Sequence, residues 1–206
     1  MRIVTVSREF GSGGRELGKR LADELNFAYY DKEIVAALAE SVKLDENYLS
    51  DMLEKDIIPR MPITYSRTIS ARSSAQAQNM FLFARQHKVI KELAAKGDCV
   101  IVGRSADALL KEFDPFSIFV YADMPSRLQR CKERAELDEG LSDRELERKI
   151  REIDKARARN YTLVSMEKWG DMHAYDLCVN TTDTVIKTLV PFVADFARAW
   201  FERKNK

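Results

Sequence analysis

The chain has 206 residues, 45% hydrophobic and 33% charged, and its 34 basic and 33 acidic side chains leave a net charge of +1. That balance excludes a disordered or membrane-embedded chain and predicts one soluble domain, residues 1–206, with a single substantial core. A charge so near zero supplies no global field, so neither nucleic acid nor a membrane is expected as a partner, and any anion site has to be built locally from arginines.

In chain order, Ile3 to Val6 is a β-branched run that predicts a strand, followed by a glycine-rich turn. Leu17, Leu21 and Leu25 then recur at helical spacing. Phe27 to Tyr30 predicts a second strand and Lys32 to Ser41 a helix, with Asp31 placed to cap it. From about 46 to 74 the periodicity fades, Pro59 and Pro62 appear, and the stretch reads as an insertion. A helix is expected from about Ala75 to Ala95, stopping near Gly97. Cys99 to Val102, Ser117 to Tyr121 and Leu177 to Val179 predict further strands. Between them, about 125–161 is charged and helical, with a turn near Gly140 and Leu141. A final helix places Val185, Leu189, Val193 and Phe196 on one face. Strands alternating with helices in this way predict an α/β fold, a parallel five-stranded sheet with helices on both faces and ligands at the strands' carboxyl ends. Cys99, Cys131 and Cys178 lack metal-ligand spacing and read as core thiols. The opening MRIVTVSREF has no signal-peptide core and no run reaches transmembrane length, so the cytoplasm is the expected compartment.

Gly11, Gly13 and Gly14 stand between the first strand and the first helix. Backbone amides converge on phosphate in such a turn, and the helix N-terminus adds about half a positive charge. The polyphosphate site is therefore expected over Gly11, Ser12, Gly13, Gly14, Arg15 and Glu16. A phosphate loop of the usual kind places lysine after its last glycine and then Ser or Thr to hold magnesium. Here the alignment puts Gly14 at the lysine position and Glu16 at the hydroxyl position. A second register, Gly13 to Lys19, also spells G-x-x-x-x-G-K, but sets Lys19 inside a helix already begun at Leu17. A glycine-rich turn alone also serves as a tight strand-to-helix connection.

The run VSREFGSGGRELGKRLADELNFAYYDKEIV, the run CVIVGRSADALL, and an Asp and Arg three apart before the last strand resemble the cytidylate kinase-like family over nearly the whole chain. The resemblance implies a P-loop nucleoside triphosphate hydrolase-type fold with a helical lid over about 125–161 and an acceptor-side insertion over about 46–74. It further implies ATP with Mg2+ as donor and a nucleoside monophosphate as acceptor, CMP or dCMP by default. Residue by residue, it aligns Gly11, Ser12 and Gly13 with the phosphate loop. It aligns Asp31, Arg104, Asp154 and Arg157 with acceptor contacts, and Arg127 and Arg130 with the start of the lid. Ser105 stands where the family has aspartate, with Asp107 two residues on.

Phosphoryl transfer needs positive charge around the transferring group. Arg15 is the candidate to replace the missing lysine, because its fork can bind two phosphate oxygens; it reads equally as a surface helix arginine. Arg127, Arg130 and Arg134 fall at i, i+3 and i+7, a stripe facing the cleft or a solvated charged face. Arg15 and Arg130 are the expected catalytic pair. Glu16 either meets magnesium or complements the helix dipole. Two alternatives stay open beside the monophosphate kinase. One is a nucleotide-binding regulator or degenerate kinase without turnover; the other is a kinase of another small acceptor.

Overall fold

The computed structural model describes residues 1–45, 69–134 and 140–203. The first strand, β1 (Ile3–Arg8), runs two residues beyond the apolar stretch, carrying Ser7 and Arg8 to the sheet's edge of the cleft. It is followed by α1 (Gly14–Leu25), β2 (Ala28–Tyr30), α2 (Lys32–Val42) and α3 (Ile69–Ala94). Then come β3 (Cys99–Val102), α4 (Ala106–Leu109), β4 (Phe116–Tyr121), α5 (Met124–Glu133), α6 (Asp143–Tyr161), β5 (Leu177–Asn180) and α7 (Ile186–Glu202), with short 3-10 turns at Lys111–Phe113 and Met172–Ala174.

The five strands are all parallel in the order β2-β3-β1-β4-β5. The central strand pairs Val6 with Val102 on one side and Arg8 with Val120 on the other. Chain direction across the sheet reverses at this strand, which leaves a crevice at its carboxyl end. Helices α1 and α7 cover one face through Leu17, Leu21, Val190, Val193 and Ala197. Helices α2 and α3 cover the other through Ile34, Leu38, Val89, Ile90 and Leu93. No helix among the described residues is long and apolar enough to cross a membrane.

Three expectations shift. Helix α3 begins by Ile69 rather than near Ala75, because no Pro or Gly interrupts the chain from there to Gly97; the rest of the expected insertion, 46–68, lies outside the described residues. Asp31 precedes α2, but its side chain makes no capping bond; Glu33 instead accepts from the Asp31 N–H at 2.9 Å. The face α7 buries is Ile186, Val190, Val193, Ala194, Ala197 and Trp200, one step round from the expected stripe, leaving Val185 and Phe196 largely exposed. Phe116 from β4 packs against both Trp200 at 5.4 Å and Phe196 at 5.6 Å between ring centres.

Candidate functional site

The turn after β1 is built by glycines. Gly11 and Gly13 both have left-handed φ, +77° and +80°. A Cβ on Gly13 would lie 2.6 Å from Ile186 Cδ1, so the loop closes only without a side chain there. Within the loop, the Ser12 hydroxyl donates to the Glu9 carbonyl at 2.9 Å, and the Ser12 carbonyl accepts from Thr181 Oγ1 at 2.7 Å. The amides of Gly14, Arg15 and Glu16 open α1 and have no intrahelical acceptor, an arrangement that favours an anion.

Arg127, Arg130 and Arg134 share one helix face but meet different partners. Arg127 is 6% exposed; its Nε donates to the Phe10 carbonyl at 2.7 Å, and its Nη atoms pair with Asp154 and, at 3.3 Å, with Glu9. Arg130 donates to the Thr181 and Thr184 carbonyls after β5. Arg134 pairs with Glu16, whose other oxygen accepts from Arg20 at 2.8 Å. Asp154 accepts from the Phe10 N–H at 2.8 Å besides Arg127, so it tethers α6 to the phosphate loop. Arg157 donates to the Arg8 carbonyl at 3.1 Å and lies over the Phe10 ring at 5.3 Å. Arg15 turns to the end of β2, where its Nε meets the buried carboxylate of Asp31 at 2.7 Å.

Two hollows open at the strand ends. The loop pocket is lined by Arg8, Phe10, Gly11, Gly13, Gly14 and Arg15, with Glu9, Arg134, Ile153 and Arg157. The neighbouring pocket is lined by Ser7, Arg8, Gly103, Arg104, Ser105, Ile153 and Arg157, with Phe83 and Gln86 from α3 and Asn160 and Trp169 opposite. Arg8, Ile153 and Arg157 line both, so the two hollows adjoin along a shared wall. No carboxylate is among the described residues lining the second pocket, which holds Arg8, Arg104 and Arg157.

Two features set that second pocket apart. Gly103, Arg104 and Ser105 follow one another at φ +74°, +59° and +54°, and left-handed backbone at the two non-glycine positions costs about 1–2 kcal/mol each. Gln86 is 2% exposed, and its Nε2 has no hydrogen-bond partner among the described residues. A buried unpaired amide costs about 1–3 kcal/mol, which a ligand oxygen would relieve. Beneath the pocket, Asp107 accepts from Ser7 Oγ at 3.0 Å and Tyr161 OH at 2.8 Å, and burial pushes its carboxyl above the usual range. Asp107 is thus a support under the pocket and does not stand in for the aspartate replaced by Ser105.

Among the described residues magnesium finds no protein cage. No cluster of three or more His, Cys, Asp or Glu capable of holding a metal exists among the described residues. The Glu16 oxygens are engaged by Arg20 and Arg134, and the Ser12 hydroxyl by Glu9. An ion arriving with a nucleotide would be held chiefly by phosphate oxygens and water, as magnesium commonly is.

Sequence reasoning did not single out Arg8, Phe83, Gln86 or Trp169 as lining residues. The available signal was a basic residue directly before the glycine-rich turn, at the end of a central strand.

A family model described as the cytidylate kinase-like family matches residues 3–183. No match was found among curated proteins. Among solved structures, an uncharacterized protein from Eubacterium ventriosum matches with a TM-score of 0.67 at 23% identity, covering 96% of this chain and 99% of that one. Shikimate kinase from Bacteroides thetaiotaomicron matches at 0.59 and 16% identity, covering 96% and 98%. Shikimate kinase from Acinetobacter baumannii, solved in complex with shikimate, matches at 0.56 and 13% identity, covering 97% and 94%. At these identities the likeness carries the fold, which is that of the P-loop kinases.

Proposed function

The chain belongs to the cytidylate kinase-like family, and from that premise we propose that it transfers the γ-phosphoryl group of Mg-ATP to a small anionic acceptor, a nucleoside monophosphate such as CMP by default. The observation that carries the reading is that the two pockets adjoin, sharing Arg8, Ile153 and Arg157 as a common wall. A donor polyphosphate on the loop amides and an acceptor at Gly103 to Ser105 would meet there in line. An acceptor oxygen forms the new bond to the γ-phosphorus as the bond to the β,γ-bridging oxygen breaks, and ADP leaves with that electron pair. The residues supply position and charge. Arg104 and Arg157 hold the acceptor anion, Gln86 bonds a polar group at its far end, and Phe83 and Trp169 flank it. Arg130 holds the loop after β5 against the donor site. Magnesium enters as part of the donor and neutralises phosphate charge.

A second reading is favoured by the absence of a carboxylate from the acceptor pocket's described lining. Arg104 and Arg157 also suit a carboxylate-bearing acceptor, and the similar fold from Acinetobacter baumannii was solved with shikimate. The reaction draws on ATP, and the expected compartment is the cytoplasm.

The test is ADP release from Mg-ATP with CMP, dCMP, UMP, AMP, GMP and shikimate in turn. Acceptor-dependent release with a monophosphate supports the first reading; release with shikimate alone selects the second. No acceptor-dependent release, together with tight ATP binding, would overturn both in favour of a nucleotide-binding regulator.

A further inference from the structure

The loop lacks a lysine, yet it does not lack a cation. Arg8, at the carboxyl end of the central strand, lines both pockets. Its stem passes under the first residue of α1: a Cβ on Gly14 would lie 2.5 Å from Arg8 Cβ. Its head lies against Gly103, where a Cβ would fall 1.5 Å from Nη1. Two glycines therefore make the channel that this side chain occupies. The guanidinium has no hydrogen-bond or ion-pair partner among the described residues, although three other arginines, Arg157, Arg104 and Arg15, and one carboxylate, Asp31, act on it. Burial and those arginines push its pKa down to about 9, so it remains cationic at neutral pH. A half-buried cation with no direct partner among the described residues, set between two arginine-lined pockets, is placed to gain a charge-assisted bond when an anion arrives.

We propose that Arg8 takes the part of the missing loop lysine, binding the transferring phosphoryl group from the strand side, and that Gly14 is glycine because the Arg8 stem fills the space a side chain there would need. The two positions form one exchange: a cation on the helix has been given up for a cation on the strand. Arg15, committed to Asp31, then orders the acceptor side. Arg8 gains and loses no proton in the transfer; it supplies two N–H donors and a charge that strengthen as the γ-phosphoryl oxygens gather charge. The inference rests on the phosphotransfer reading, but its test can fail separately.

The experiment measures ATP and ADP affinity by calorimetry, and turnover with the best acceptor, for the full chain, Arg8→Ala, Arg8→Lys, and the exchange variant Arg8→Ala with Gly14→Lys. Charge-assisted hydrogen bonds to one phosphoryl group predict that Arg8→Ala weakens ATP by roughly 10- to 100-fold. ADP should be nearly unaffected, kcat should fall, and the acceptor KM should hardly move. Arg8→Lys should retain part of the ATP preference, and the exchange variant should recover more of it than Arg8→Ala. Equal loss of ATP and ADP binding, or unchanged ATP affinity and kcat, would overturn the proposal. A selective loss of ATP affinity in a protein that turns over no acceptor would uphold Arg8 as the γ-phosphoryl ligand while overturning the kinase reading.

Discussion

Replacing Arg127 by Met tests whether this arginine holds the phosphate loop together. The side chain is 6% exposed and serves Asp154, 14% exposed, Glu9, 27% exposed, and the Phe10 carbonyl together. Met keeps the volume and removes the charge, leaving two carboxylates facing each other. Breaking a buried pair by removing one partner costs about 3–5 kcal/mol. The lower end applies here, because Asp154 keeps the Phe10 N–H and Glu9 the Ala122 N–H. With a urea slope of about 2 kcal/mol per molar, a loss of about 3 kcal/mol moves the midpoint down by about 1.5 M. Asp154→Asn in the same background should then cost less than it does alone, with a coupling of about 1–3 kcal/mol. An arginine merely facing an open cleft would cost within about 0.5 kcal/mol and add to Asp154→Asn without coupling. A loss below about 1 kcal/mol, or full additivity, would refute the clamp.

Gly13→Ala should lose about 2–4 kcal/mol in thermal unfolding, from left-handed strain at φ +80° and overpacking against Ile186; a loss under about 1 kcal/mol would mean the loop re-routes freely. Burial, with Lys91 nearby, pushes His87 down to about 4. The unfolded chain therefore takes up this proton first, and stability falls as pH drops from about 6.5 to about 4, then levels. Urea midpoints at pH 7 and pH 5 should differ less in His87→Leu than in the parent; an unchanged difference would remove His87 from the account. Asp107 carries the opposite sign: its raised folded pKa means the native state holds the proton longer, so stability falls as pH rises through the window between the unfolded and folded values. Asp107→Asn should abolish that fall and be at least as stable at pH 8, and a loss above about 2 kcal/mol there would contradict it.

The sheet was legible because its central strands hold apolar runs, Cys99–Val102 with every residue buried. The loop was legible because glycines at 11, 13 and 14 announce a turn that side chains would block. What escaped the sequence is pairing across distance. Arg8 meets Gly103 only because β1 and β3 lie side by side, in a register set by Val6 and Val102. The spacing of Arg127, Arg130 and Arg134 gave a common face, but periodicity says nothing of what that face meets. Phe10 and Glu16, either side of the turn after β1, and Thr181, after β5, divide the three arginines between them. Gln86 and Phe83 gave no signal at all, since a polar residue three positions from an aromatic on a long helix is an ordinary pattern.

The central claim is that the two pockets are halves of one transfer site. The most direct test is the affinity of adenosine and cytidine joined by five phosphates, measured beside ADP and CMP alone. If both halves are engaged, the linked compound should bind at least ~100-fold more tightly than either part, and Arg157→Ala should erase most of that gain. Binding no tighter than ADP, with the same affinity in Arg157→Ala, would contradict the account.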